Sequence, residues 1–298
     1  MKNGVQIFVG TAGWSYKDWV PDFYPRAQSK SFDWLEYYSG FFNVVEVNAT
    51  YYAYMNPSSA RSWIEKVSAA ENFLFTVKLH QDFTHARKYD NTSISAVKQV
   101  LDILASGGRL GGLLMQFPYS FSCNAESIEY MQRLNDVFKE YSQFVEIRHA
   151  SWNNPEAYGI MSELNVTACT IDQPQLGRSI AFEPVITNDT CYFRFHGRNT
   201  DEWKKSVISY GKKLSYEEQS QRYKYLYSPG ELTDIADKIR SVYESVNRIY
   251  IIMNNHPGSY GIVNAFELMY MLGSGDAQYI PEGLISAFPR LKLISGNS

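Results

Sequence analysis

The stretch FVEIRHASW, residues 144–152, has the apolar character of a buried strand, yet it carries Glu146, Arg148 and His149 towards its end. An ionisable group in a protein interior is costly unless it is paired or reaches water. Alternate side chains on a strand point to opposite faces, so Glu146 and Arg148 share one face while Val145 and Ile147 take the other. The charged face begins apolar, at Phe144, and turns polar only as the strand ends. Charge and core coexist in such a strand if its C-terminal end opens to water.

The same pattern recurs along the chain. QIFVG, VVEVN, FLFTVKL, GLLMQF, TACTID, CYFRFHG and RIYIIMNN complete a set of eight strand-like runs. Glu46 and Asn48 oppose Val45 and Val47; Lys78 and His80 oppose Val77 and Leu79; Gln116 opposes Met115 and Phe117. Thr170 and Asp172 are set against Cys169 and Ile171, and Arg194 and His196 against Phe193 and Phe195. In a half-exposed antiparallel sheet the polar alternation runs along the whole strand. Here the early positions of the same parity are Val44, Leu114, Phe144 and Tyr192. A parallel barrel accounts for this asymmetry, because its outer face packs on helices while its inner face opens into a mouth at the C-terminal end.

Helical periodicity between the runs, at 58–69, 93–106, 125–141 and 231–245, implies parallel strands with crossover connections. The expected fold is therefore α/β, a parallel (β/α)8 TIM-type barrel formed as a single domain over residues 1–298. The sixth connection, 173–190, contains proline and little helical pattern, which predicts an irregular link. The seventh, 197–229, is the longest and reads as an insertion or lid over the mouth. Its tyrosines and its Lys204, Lys205, Lys212, Lys213, Arg222 and Lys224 bias it towards anions.

Bulk composition narrows the function classes. The 298 residues are 45% apolar and 20% charged, enough for a closed core, and the formal net charge of −3 gives no general attraction to nucleic acid or anionic lipid. No run approaches the roughly 20 apolar residues of a membrane span, so a cytoplasmic protein is expected. Three cysteines without C-x-x-C spacing argue against a disulfide framework or a zinc–cysteine site.

The succession GTAGWSYKDW, FYP, VEVNATYY, TVKL followed by THARKY, QFPYSF, VEIRHASW, RFHGR, RYKYLYS and NNHPGSYGIVNA spans nearly the whole chain. It resembles the YecE-like family, the domain-of-unknown-function family numbered 72. The resemblance implies a TIM-type barrel and implies no particular reaction.

The expected mouth gathers Lys78, Arg148 and Arg194 with Glu46, Glu146 and Asp172, the amides of Asn48, Gln116, Asn254 and Asn255, and His196. Planar arginine forks suit a carboxylate or phosphate. The competing reading has them neutralising Glu46 and Glu146 instead. His196 is the first choice as general acid or base, its pKa raised by neighbouring carboxylates, with Glu146 or Glu46 as its partner. His149, His85 and His256 rank second as loop residues. Lys78 suits anion binding better than Schiff-base chemistry if the carboxylates keep it charged. Trp14 and Tyr51, with other aromatics after the first two strands, form either a stacking wall or a hydrophobic cap.

Glu146, Asp172 and His196 fall on successive strands, but the interleaved Arg148 and Arg194 oppose a cation, so no metal ligands are assigned and the cofactor is left open. The glycines of HPGSYG suit a helix-opening turn better than a phosphate cradle. The expected function is an enzyme using acid–base chemistry on a small polar or anionic metabolite. Two alternatives stand beside it: a metal-assisted phosphodiester or nucleic-acid hydrolase, with nucleic acid not favoured, and a ligand-binding protein without catalysis.

Overall fold

The computed structural model describes residues 4–208, 215–273 and 277–296. Eight strands, β1 (Gln6–Ala12), β2 (Val44–Val47), β3 (Leu74–Lys78), β4 (Leu110–Gln116), β5 (Gln143–Glu146), β6 (Thr167–Asp172), β7 (Thr190–Phe195) and β8 (Arg248–Met253), close into a barrel in sequence order. Every neighbouring pair is parallel, including β8 with β1.

The helices begin where side chains can satisfy their free N–H groups. Asp90, Asn124, Asn154 and Ser228 each accept a hydrogen bond from the first turn of the helix that follows. At Pro57 and Pro229 a proline occupies the first turn, where its missing N–H costs nothing. The helices expected from 58, 93 and 231 start one or two residues earlier, at Pro57, Asn91 and Pro229, and the one expected from 125 starts at Ala125. The sixth connection is irregular, with no helix between β6 and β7.

Two apolar clusters sit on opposite sides of the strand wall. The larger lies between barrel and helices and holds Val45, Val47, Val77, Met115, Val145, Ile147 and Phe193. The smaller fills the lower barrel with Phe8, Val44, Leu114, Phe144, Tyr192 and Tyr250. Above this plug the same strand faces carry Glu46, Lys78, Gln116, Glu146 and Arg194.

Strand β6 departs from the expected parity. Residues in register on adjacent parallel strands share a face, and Cys169 pairs with the inward Tyr192, Ile171 with the inward Arg194. Cys169 and Ile171 therefore point inward, while Thr170 and Asp172 point out. The outward face tolerates Asp172 because Arg198 donates to it from Nε at 3.0 Å and from a terminal nitrogen at 2.9 Å, and the Tyr227 hydroxyl donates at 2.5 Å. This cluster ties the start and end of the seventh connection to β6.

Candidate functional site

Arg194 is the hub of the mouth. Only 1% of it is exposed, and Glu46 and Glu146 are fully buried. Its Nε donates to Glu46 Oε2 at 2.9 Å and one terminal nitrogen to Glu46 Oε1 at 2.6 Å; the other terminal nitrogen donates to Glu146. Tyr192 donates a further bond to Glu46 Oε2 at 2.8 Å. Arg148 donates to Glu146 Oε1 from Nε at 2.8 Å and keeps 13% of its side chain exposed. Burial pushes the Glu146 carboxyl up, but Arg194 and Arg148 outweigh it and hold Glu146 well below the usual carboxylate range. Arg194 spends its fork on two carboxylates of its own chain, as the competing reading of the sequence had it.

His196 is wholly buried, and Asn254 Nδ2 donates to its Nδ1 at 2.8 Å, which leaves the ring proton on Nε2, 3.6 Å from Glu146 Oε1. Burial is the largest influence on the ring and outweighs Glu146, with Arg148 and Arg194 acting in the same direction as burial; the pKa falls to about 3. That corrects the expected upward shift: the cost of desolvating an imidazolium exceeds what one carboxylate, already shared by two arginines, returns. Trp203 and Tyr223 of the seventh connection stand over this ring at centroid distances of 6.3 and 6.0 Å, and Arg148 lies 5.6 Å from the Trp203 ring.

Lys78 differs from the arginines. Among the described residues its Nζ has no hydrogen-bond or ion-pair partner; it lies 4.1 Å above the Tyr51 ring. Burial, followed by Arg194, brings its pKa down to about 7 against the pull of Glu46 and Glu146. The carboxylates do not keep it charged, because they are committed to arginine. His85 packs on Tyr51 edge to face at 5.2 Å, and its Nδ1 shares a hydrogen bond with Thr84 Oγ1 at 2.9 Å. Its pKa falls to about 4 through burial, then through Lys78 and Arg148. The THARKY motif thus brings a neutral imidazole onto the same Tyr51 ring and within electrostatic reach of the unpaired amine, a placement set by the short helix Gln81–Thr84 that strand parity does not reveal.

The remaining candidates divide between mouth and rim. Gln116 donates to the Phe117 carbonyl at 2.6 Å, and Asn254 serves His196. Asn255 turns away to the Tyr225 carbonyl and Asn264, and His80 caps the helix Gln81–Thr84 while stacking on Tyr54. Asn48 and Trp14 line a cleft of about 800 Å³ beside the mouth, between the loops after β1, β2 and β8 and the helix Tyr216–Ser220. Tyr16 stacks on His256 in its wall at 4.2 Å, and Asn48 Oδ1 and His256 Nδ1 are buried there with no hydrogen-bond partner among the described residues. The Gly258 amide of HPGSYG donates to Asp18 at 2.7 Å, so a carboxylate of the chain itself takes that helix-opening position. Glu146 and His196 adjoin, whereas Asp172 lies on the other side of the strand wall. Lys212 and Lys213 lie outside the described residues.

Acid should destabilise this arrangement early. His196 and His256 ordinarily titrate near 6.5 but fall to about 3 when buried. The unfolded chain therefore binds more protons between those limits, and stability drops as pH falls from about 6.5, before Glu146 contributes its own loss below its ordinary 4.5. Urea midpoints measured from pH 7.5 to 5 should decline steadily, and less so in His196→Asn; a flat profile would contradict neutral histidines in the fold.

Fold and site together define a parallel (β/α)8 barrel with a closed ionic network beneath a polar C-terminal mouth. The profile of the family described as "Protein of unknown function DUF72" matches residues 8–285, and the chain belongs to that family. It is 27% identical over 280 residues to the UPF0759 protein YunF of Bacillus subtilis, covering 89% of this chain and 94% of that one. A crystal structure of a DUF72 family protein from Thermotoga maritima matches with 30% identity and a TM-score of 0.76, over 90% of this chain and 99% of the other. One from Enterococcus faecalis, at 24% identity and a TM-score of 0.76 over 90% and 95%, shares the fold. Among the described residues no helix is long and apolar enough to cross a membrane.

Proposed function

We propose that the protein is an enzyme acting by proton transfer on a small anionic metabolite at the C-terminal mouth. The observation that carries this reading is the unpaired Lys78 amine beside a network whose carboxylates are already satisfied. Arg148 and Arg194 already balance Glu46 and Glu146, so the charge that Lys78 carries when protonated is surplus and favours a ligand with negative charge. Arg148, partly exposed at the mouth, receives the anion. Lys78 and His85, poised at about 7 and about 4, exchange protons with it; Arg194, Glu46, Glu146 and His196 hold the floor rigid. The aromatic-walled cleft next to Asn48 accommodates the less polar part of a larger substrate.

A thermal-unfolding screen with small carboxylates and phosphates tests this reading. At least one such anion should raise the midpoint of the wild-type protein, and Arg148→Gln should weaken its binding about tenfold or more, the loss of a charge-assisted hydrogen bond. Absence of any stabilising anion, or full binding in Arg148→Gln, would overturn it. Incubating the best ligand with the protein and following its mass separates the enzyme from a binding protein, which would return the ligand unchanged.

A further inference from the structure

Resting on that anion site, we infer that Lys78 is a nucleophile that condenses with the carbonyl group of an oxo acid, forming an imine. Its position is the first ground. The residue ends β3 at the C-terminal rim, with its amine on the open side of the barrel plug and the Tyr51 ring 4.1 Å beneath it. A lysine held by a carboxylate has no lone pair to offer, and the two buried carboxylates here are taken by Arg194 and Arg148. With burial and Arg194 bringing the amine to about 7, a large neutral fraction exists at physiological pH.

The groups around the amine suit each stage of the condensation. The lone pair of neutral Lys78 adds to the carbonyl carbon, forming the C–N bond while the carbonyl oxygen takes up a proton. The carbinolamine then expels that oxygen as water, which needs a proton delivered to the leaving hydroxyl, and nitrogen retains the positive charge as iminium. Each condensation joins one amine, one carbonyl and one proton and releases one water; no oxidant or reductant is required. His85, neutral and edge-on to the same Tyr51 ring, is placed to relay the proton. The face of Tyr51 that meets the ammonium meets the iminium equally well, so the cation formed loses no stabilisation. Arg148 takes the carboxylate of the oxo acid, which fixes the carbonyl towards Lys78 rather than towards surface lysines.

Reductive trapping of the full-length protein tests the inference. Pyruvate and glyoxylate are supplied separately with sodium cyanoborohydride at neutral pH, and modified lysines are located by peptide mass spectrometry. A lysine near 7 has a neutral fraction about a thousandfold above one at its ordinary 10.5. Lys78 should be labelled about tenfold or more above any other lysine, with saturation by the oxo acid, and Arg148→Gln should abolish that preference. Lys78→Arg should lose the label while its far-ultraviolet circular dichroism stays native. Where Lys78→Arg misfolds, the rate of Lys78 reductive methylation in the wild-type protein against pH supplies the same decision, with a midpoint near 7 supporting a nucleophilic amine and one near 10.5 opposing it. Labelling spread evenly over surface lysines while anions still bind through Arg148 would overturn the imine and leave the anion site standing. Loss of both anion binding and labelling would overturn the two together.

Discussion

Arg194→Met should lower the unfolding free energy by about 3–5 kcal/mol, the cost of stranding buried charge. Glu46 and Glu146 are fully buried, and Arg194 is the cation that reaches both. Arg148 still serves Glu146, and Tyr192 still donates to Glu46, so the second carboxylate suffers most. Denaturant unfolding followed by tryptophan fluorescence measures the loss. The origin of the effect is checked by adding Glu46→Met and Glu146→Leu to the same chain. Replacing a whole buried ionic group by apolar side chains of similar volume is commonly neutral or stabilising. The triple variant should therefore recover most of what the single one loses. A single variant as stable as wild type, or a triple variant worse than it, would show that the network is not the uncompensated-charge trap described.

Gly10→Ala is expected to cost about 4 kcal/mol or more, beyond the range of ordinary point mutations. A Cβ at Gly10 would stand 1.9 Å from the Val44 carbonyl oxygen and 2.8 Å from the Tyr38 hydroxyl. The hydroxyl is part of the seam between β1 and β2: Thr11 N–H donates to it at 2.8 Å, and it donates to the Val44 carbonyl at 3.1 Å. No rotamer change relieves contact with a backbone oxygen of the paired strand, so the barrel must open there. Low soluble yield and a collapsed denaturation midpoint are the expected readings. Tyr38→Phe in the same chain should not rescue the variant, because the closer clash is with backbone. Rescue would shift the blame to the hydroxyl.

How much of this was legible beforehand follows from the range of each interaction. Side-chain alternation is a property of a few consecutive residues, and for β2, β3, β4, β5 and β7 it was enough to place Glu46, Lys78, Gln116, Glu146 and Arg194 on one inner face. It failed in β6, where both faces carry small or apolar residues and the sign of the pattern rested on Thr170 and Asp172. A lone carboxylate looks inward by analogy with its neighbours until Arg198 and Tyr227 are seen waiting on the outer face. His85 was set behind His196 for a similar reason: strand parity says nothing about where a four-residue helix delivers the side chain after it.

The chain's own alternation of apolar and polar residues determined the parallel barrel and the end at which its charges gather, because period and burial are written residue by residue. Only the tertiary structure decided which charges remain available. Arg194 meets Glu46 across 148 positions of sequence, and that meeting consumes both groups. It leaves Lys78 without an ion-pair partner among the described residues and His196 neutral, since the protonation of a buried group is set by the water it has lost and the charges left within reach.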